Sequence, residues 1–246
     1  MAALCIVYWV HRDILYISLL DGKEMIIDCV ADLHGFYPQM KGGDLLIVAG
    51  DLTANDRTYQ YLEFREWIKS QDYKKKIVVF GNHDMASYDG SFYFNSEWFG
   101  ADFLTDEGIE FDGMKIWGSP WTLTFKGINP QCTAFTGTEW DLSKKFELIP
   151  PDIDILITHG PPLGILDKTA KGDHVGSDSL RWTIDMKMPE LVIFGHIHEC
   201  GGQYVTKKGI LYVNGSIVDE KYREINRSRK IIFDAQMPKM QRFKAS

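Results

Sequence analysis

The sequence lacks any long apolar run, and none approaches the about 18 residues that a membrane-spanning helix requires. It also has little cysteine. Its four cysteines, Cys5, Cys29, Cys132 and Cys200, show neither the paired spacing of a zinc site nor the density of a disulfide framework. We therefore expect reduced thiols, a cytoplasmic location and no membrane partner.

An excess of positive charge is missing too, since 27 Lys and Arg residues face 34 Asp and Glu residues for a formal net charge of -7. Broad binding of duplex nucleic acid is therefore not expected, because such binding depends on neutralising phosphates with Lys and Arg. A nucleotide or a short oligonucleotide remains compatible with this charge, because bound divalent cations would offset the acidity of a carboxylate-rich site. The sequence gives no indication of the oligomeric state.

The first 24 residues differ from the rest of the chain. Residues 4–10 are apolar, but the charged residues Arg12 and Asp13 follow them, whereas a signal peptide carries its positive charge before the apolar stretch. Two interpretations stay open: an extra strand that turns at Asp21-Gly22, or a non-native extension ahead of Met25. No linker or internal repeat divides the remainder, so we expect a single domain over residues 25–246.

Short apolar runs recur along the chain, and each ends in a polar cluster, which is typical of buried strands. They occupy residues 26–31, 45–49, 77–80, 153–158, 191–194, 210–213 and 230–233. Apolar residues near helical spacing predict helices over 56–69 and about 177–186. A hairpin is predicted between 108–111 and 114–117, and the stretch 87–151 around it is the least regular.

Five polar blocks follow these runs, and they contain five of the seven histidines. The blocks are Asp32-Leu33-His34, Gly50-Asp51, Gly81-Asn82-His83-Asp84, His159-Gly160 and Gly195-His196-Ile197-His198. Strands of an open sheet deliver the residues after them to a common edge, where binding sites gather. Each block alone is typical of an ordinary turn, but the five together in this order predict one shared site.

The residue types in the blocks indicate a catalytic metal site. Residues two apart in an extended segment point to the same side, so Asp32 with His34, and His196 with His198, can face one pocket. Imidazole, carboxylate and amide donors suit Mn, Fe, Zn or Co, and the absence of a cysteine ligand argues against a closed structural zinc site. Glycines beside the candidate ligands are expected where the backbone and the ligands crowd together.

In this ordered pattern the chain resembles the calcineurin-like metallophosphoesterase superfamily, over roughly residues 25–235. The stretches 117–122, 158–164 and 194–199 resemble its metallophosphodiesterase-domain-containing subgroup, whose members are linked to the hydrolysis of cyclic nucleotide phosphodiesters. The resemblance implies an α/β fold, a four-layer αββα sandwich of two mixed β-sheets flanked by helices.

The resemblance also implies a role for each residue of the blocks. One divalent ion would be held by Asp32, His34, Asp51 and His198, and the other by Asp51, Asn82, His159 and His196. Asp51 would bridge the two ions, with Mn the expected metal and Fe, Zn, Co or Ni as alternatives. A water shared by the ions would attack a small phosphate ester. Asn82 and His83 would contact the substrate, His83 stabilising charge or protonating the leaving oxygen.

Other residues are candidates for contacting the substrate or for orienting the ligands. Trp121, together with Trp117 and Phe125, is a candidate for stacking on a nucleobase, although core packing is the commoner role of such aromatics. His174 is a candidate substrate contact from a loop, and Asp84 is expected to orient His83 or a ligand. The protein Ser/Thr phosphatase branch carries an arginine four residues after its bridging Asp, where this chain has Asn55. This difference argues against a protein phosphatase.

The sequence therefore predicts a phosphodiesterase for cyclic nucleotides or other small phosphodiesters. A phosphomonoesterase or a nuclease with the same metal site is an alternative. A binding scaffold that keeps the fold without catalysis is a third, and it is less favoured because every ligand position of the family pattern is filled.

Overall fold

The computed structural model describes residues 24–125, 131–225, 228–234 and 237–245. The extension expected at residues 1–24 lies outside these ranges except for Glu24, where the first strand begins. Both interpretations of that extension, the extra strand and the non-native segment, rest on residues 1–23, which lie outside the described residues. No helix in the described ranges is both long and apolar enough to cross a membrane.

Strands dominate the described part of the chain. They are β1 (Glu24–Val30), β2 (Gly43–Ala49), β3 (Tyr73–Val79), β4 (Asp102–Leu104), β5 (Glu107–Phe111), β6 (Met114–Ser119), β7 (Thr122–Leu123), β8 (Thr136–Gly137), β9 (Ile155–Thr158), β10 (Leu191–Phe194), β11 (Tyr204–Lys207), β12 (Ile210–Asn214), β13 (Arg229–Asp234) and β14 (Phe243–Ala245). The helices are α1 (Thr58–Ser70), α2 (Met85–Tyr88), α3 (Ser96–Phe99), α4 (Glu139–Phe146) and α5 (Asp178–Lys187).

The strands form two six-stranded mixed sheets and a small pair, β7-β8. The first sheet has the order β14-β13-β1-β2-β3-β4, in which β1 to β4 are parallel and β13 pairs antiparallel with both β1 and β14. The second has the order β11-β12-β10-β9-β6-β5, in which the four middle strands are parallel. Each sheet thus contains four consecutive parallel strands, whose carboxyl ends gather at one edge.

Alternation along the central strands explains why the two sheets stack. In β2, Leu45 and Ile47 pack into the core between the sheets, while Leu46 and Val48 pack into a second core under α1. Successive side chains of a strand point to opposite faces, so a strand that is apolar throughout must be covered on both sides.

The helices supply the outer layers. Phe64 and Ile68 of α1 are fully buried in the core against the first sheet. Leu142 of α4 and Leu180 and Ile184 of α5 are buried in a third core against the second sheet. Three apolar cores thus separate four layers, and the predicted αββα sandwich of two mixed sheets is confirmed.

Most of the predicted elements are confirmed: the seven strands, the two helices and the hairpin, which is β5-β6. The region 87–151, expected to be the least regular, contains α4 and the edge strand β4 in addition. The sequence interpretation also missed two antiparallel edge strands, β11 and β14.

Candidate metal centre

The five polar blocks converge at the carboxyl ends of parallel strands in both sheets. Asp32 and His34 follow β1, Asp51 follows β2, Asn82 and His83 follow β3, His159 follows β9, and His196 and His198 follow β10. All eight residues are buried or nearly so. Two sheets therefore contribute to one cluster, which is formed where their carboxyl edges meet.

Asp51 lies at the centre of this cluster, and its two carboxylate oxygens face different histidines. Oδ2 lies 3.5 Å from Nε2 of His34. Oδ1 lies 3.5 Å from Nε2 of His159. The carboxylate thus stands between two groups of donor atoms.

The first group lies on the His34 side. Nε2 of His34 is 3.3 Å from Nε2 of His198, and that atom is 3.5 Å from Oδ1 of Asp32. Asp32, His34 and His198 present ligand atoms within 4.8 Å of one another, the spacing of a metal-binding triad.

The second group lies on the His159 side. Nε2 of His159 is 2.9 Å from Oδ1 of Asn82, and the His196 ring lies edge-on to the His159 ring with 4.9 Å between the centroids. Asp32, Asp51 and His159 form a further set of ligand atoms within 4.8 Å.

The backbone of the cluster is strained and crowded. Asp32, His34, Asp51 and His196 all have positive φ, between 42° and 68°, which non-glycine residues adopt rarely and which is typical of functional sites. A Cβ at Gly81 would lie 2.2 Å from Oδ1 of Asp51, and one at Gly195 would lie 2.3 Å from Oδ2 of Asp32. These positions require glycine because the candidate ligands approach the backbone there.

Backbone hydrogen bonds orient the candidate ligands. Nδ1 of His159 is 3.0 Å from the carbonyl of Ala49, and Nδ1 of His198 is 3.1 Å from the carbonyl of Asp219. The N–H of His83 donates to Oδ1 of Asp51 at 2.9 Å. Each such bond fixes a ring or a carboxylate so that its remaining donor atom faces the cluster.

The pKa values of the candidate ligands are shifted in different directions. Burial opposes the charged form of His159, but the negative charge of Asp51 outweighs it and raises the pKa of His159 to about 9. Burial, with His159 nearby, lowers the pKa of His196 to about 3. Burial opposes the Asp32 carboxylate, but the charge of His198 lowers the pKa of Asp32 to about 2. Negative carboxylates and at least one neutral imidazole are therefore available at neutral pH.

Three buried atoms of the cluster lack a hydrogen-bond partner among the described residues: Oδ1 of Asp32, Nδ1 of His34 and Nε2 of His196. Unpartnered buried polar atoms are costly and rare, and they call for an ion or a water. With a donor set of imidazole, carboxylate and amide oxygen, the cluster fits divalent metal ions.

His83 lies beside the cluster at its open side. Its Nε2 is 3.9 Å from Oδ2 of Asp51, and its Nδ1 is 3.4 Å from Sγ of Cys132. Asp84, expected to orient His83 or a ligand, accepts hydrogen bonds from the backbone N–H groups of Gly81 and Leu52. It therefore acts on the loops that carry Asp51 and Asn82, while Cys132 contacts the ring of His83.

An open cavity lies over the cluster, and several of its lining residues were not predicted from the sequence. Its lining comprises Asp51, Asn82, His83, Leu123, Phe125, Cys132, Thr136, Thr169, His196, Ile197, His198, Glu199, Glu220 and Tyr222. Tyr222, Glu220 and Cys132 belong to no block and stand in no motif. Their positions follow from tertiary structure alone.

The structure does not bring two of the candidate substrate contacts to this cavity. Nε1 of Trp121 donates to Asp106 at 2.8 Å, and its ring packs against two of the apolar cores. Nδ1 of His174 lies 2.5 Å from Oδ1 of Asp167. Phe125, named among the aromatics, does line the cavity, with its ring 5.0 Å from that of His196.

Comparisons with known proteins agree with this geometry. The family model for calcineurin-like phosphoesterase matches residues 25–200. Metallophosphoesterase domain-containing protein 1 of Homo sapiens is 35% identical, covering 86% of this chain and 71% of that protein. UPF0046 protein C25E10.12 of Caenorhabditis elegans is 31% identical, covering 85% of this chain and 80% of that protein.

Solved structures share the fold. The phosphopantetheinyl hydrolase of Mycobacterium tuberculosis superposes with a TM-score of 0.58 at 16% identity, covering 88% of this chain and 99% of that one. At that identity the likeness establishes the fold alone. The family match, which spans most of the described chain and all five polar blocks, establishes more: the chain belongs to the calcineurin-like phosphoesterase family.

Proposed function

We propose that this protein is a dinuclear metal-dependent phosphodiesterase that hydrolyses cyclic nucleotides or other small phosphodiesters. Membership of the family indicates a phosphoester hydrolase that uses divalent metal ions. Beyond this, we propose that two ions bind, that the residues named below bind them, and that diesters are preferred.

The observation that carries the proposal is the position of Asp51 between two groups of donors. Oδ2 faces the group of Asp32, His34 and His198, and Oδ1 faces the group of Asn82, His159 and His196. A carboxylate with one oxygen directed to each group is suited to bridge two ions. On this basis each group together with Asp51 holds one ion.

Two divalent ions in such a site supply activation of water and neutralisation of phosphate charge. The residues of the chain position the reactants. His83 lines the cavity with its Nε2 towards Asp51, so it contacts the phosphate and stabilises its charge or donates a proton to the leaving oxygen. The amide of Asn82 is held through Nδ2 by the carbonyl of Cys132 at 3.3 Å.

Manganese is the metal we propose, because imidazole, carboxylate and amide oxygen donors suit it and no cysteine belongs to either group. Cys29, Cys132 and Cys200 are free thiols. Reduced thiols support a cytoplasmic location as part of the proposal.

The proposal is tested by hydrolysis of bis-p-nitrophenyl phosphate, p-nitrophenyl phosphate, and 2′,3′- and 3′,5′-cyclic nucleotides by Mn-loaded protein. We expect the diesters to be the better substrates. Asp51→Asn and His83→Ala should each lower kcat/KM by about 100-fold or more. Tyr93→Phe, at an exposed position away from the cavity, is the matched control.

Turnover of p-nitrophenyl phosphate alone would replace the diesterase with a monoesterase. Hydrolysis of short DNA in preference to all of these esters would indicate a nuclease. Absence of any turnover by protein that holds two ions would favour the scaffold.

A further inference from the structure

Tyr222 occupies a distinctive position at one end of the candidate metal centre. Its ring centroid lies 4.8 Å from that of His34 and 5.0 Å from that of His198, edge-on in both cases. Its ring also lines the cavity, and 40% of the residue is exposed. An aromatic surface is thus presented directly beside the donor group of Asp32, His34 and His198.

The backbone holds Tyr222 in this position at a cost. Its φ is 56°, a conformation that is an outlier for a bulky residue. The carboxylate of Asp219 accepts the N–H groups of Lys221 and Arg223, both at 2.9 Å, and pairs with the guanidinium of Arg223. The carbonyl of Asp219 also contacts His198, so one short turn fixes both Tyr222 and a candidate ligand.

Outside the cluster, the charged side chains among the described lining residues are both carboxylates. Glu199 follows His198 directly, Glu220 lies two residues before Tyr222, and both line the cavity. Oε1 of Glu199 accepts the N–H of Ala170 at 2.9 Å, which holds this carboxylate in place. Among the described residues of the lining there is no Lys or Arg. Among the described lining residues, a second phosphate on the substrate would therefore meet carboxylates and neither lysine nor arginine.

Leu123 and Phe125 supply an apolar part of the cavity lining, and the Phe125 ring lies beside that of His196. The cavity has a volume of about 200 Å³ and is partly open to solvent. Aromatic surface therefore lies beside each donor group.

We infer that the cavity selects a substrate with one phosphate, whose substituent at the Tyr222 end is an uncharged aromatic group lying against that ring. Glu199 and Glu220 exclude substrates that carry a second anionic group there, since specificity arises from repulsion as well as attraction. This inference rests on the proposed function, because it places the phosphate at Asp51.

The charge selection is tested with two matched substrates, 2′,3′-cyclic adenosine monophosphate and the same compound with an added 5′-phosphate. In the Mn-loaded protein the added phosphate should raise KM by about tenfold or more. In the double variant Glu199→Gln/Glu220→Gln this ratio should fall to about two. An equal KM for both compounds in the unmodified protein would overturn the charge selection.

The aromatic contact is tested with bis-p-nitrophenyl phosphate and methyl p-nitrophenyl phosphate, which differ by one aromatic ring. Tyr222→Asn removes the ring and tolerates the same backbone conformation, whereas Tyr222→Phe keeps the ring. We expect Tyr222→Asn to raise KM for the bis-aryl ester about tenfold more than for the methyl ester, and Tyr222→Phe to leave this ratio unchanged. Equal effects on both esters would overturn the contact.

These measurements distinguish failure of this inference from failure of the proposed function. Turnover of bis-p-nitrophenyl phosphate without either discrimination would refute this inference and leave the diesterase intact. No turnover of any of the four esters by the unmodified protein would refute the proposed function, and the inference with it.

Discussion

The carboxylate of Asp84 accepts the backbone N–H of Leu52 at 3.0 Å, directly after the central residue Asp51. Its other oxygen accepts the N–H of Gly81 at 2.8 Å, directly before Asn82. Asp84 is fully buried, and burial together with the charge of Asp51 raises its pKa well above the ordinary value. One buried side chain thus ties the loop after β2 to the loop after β3.

Asp84→Asn should lower metal affinity and turnover by about 10- to 100-fold, because its NH2 group would face one of these backbone donors. Titration with Mn, followed by calorimetry, measures the affinity. Asp89→Asn, at an exposed position at the end of α2, is the control and should bind metal normally. Unchanged affinity in Asp84→Asn would show that the two loops hold their geometry without this carboxylate.

A second prediction concerns Gly81, where a Cβ would lie 2.2 Å from Oδ1 of Asp51. Gly81→Ala should displace that carboxylate and abolish the binding of at least one ion. In Gly113→Ala a Cβ meets nothing within 4 Å, but its φ is +79°. That control should lose only about 1 kcal/mol of stability and retain both ions. The metal content of the folded fractions, with unfolding curves for both variants, distinguishes the two effects.

Much of this architecture is predictable because strands buried on both faces are apolar throughout. The run 45–49 is an example: alternate side chains enter two different cores, so the sequence shows an uninterrupted apolar stretch that ends at Gly50-Asp51. The donor residues were identifiable for a related reason, since polar residues directly after such strands reach a common edge.

Two features were missed for different reasons: one has a local signal in the sequence, and the other depends on tertiary structure alone. Thr138 and Asp141 form a capping box at the start of α4, so the sequence carries a local signal for this helix. Tyr222 is different, because it lies in a turn after the last motif and reaches the cavity through the hydrogen bonds of Asp219. No pattern in the sequence indicates that contact.

Metal binding should release protons. Without metal, Asp51 raises the pKa of His159 to about 9, so this imidazole is protonated at pH 7 and must lose its proton to become a ligand. His196 has a pKa of about 3 and is already neutral. His159→Ala should therefore release about one proton fewer than the unmodified protein on binding metal, while His196→Ala should weaken binding without this change.

Calorimetry at pH 7 in buffers of different ionisation enthalpy counts these protons. Equal counts for the His159→Ala variant and the unmodified protein would show that His159 is neutral before metal binds.

A further prediction concerns the C-terminal strand, which is held by Arg242. Its guanidinium pairs with Glu190 and with Asp154 at 2.6 Å, and the Glu190 side chain is only 1% exposed. Arg242→Met should lower the free energy of unfolding by about 3 kcal/mol, because it leaves the buried Glu190 carboxylate without its charged partner. Lys208 pairs with Asp185 at 3.0 Å with its own side chain 55% exposed.

Lys208→Met should therefore cost less than about 1 kcal/mol. Urea unfolding of both variants measures the difference. Similar losses in the two would mean that Arg242 contributes no more than a surface pair.

The most direct test of the central claim is low-temperature EPR spectroscopy of the Mn-loaded protein, compared with Asp51→Asn at matched metal content. If Asp51 bridges two ions, the unmodified protein gives the spectrum of a spin-coupled manganese pair, and the variant gives isolated Mn(II) or loses metal. A spectrum of isolated Mn(II) in the unmodified protein, unaltered by Asp51→Asn, would contradict the dinuclear site.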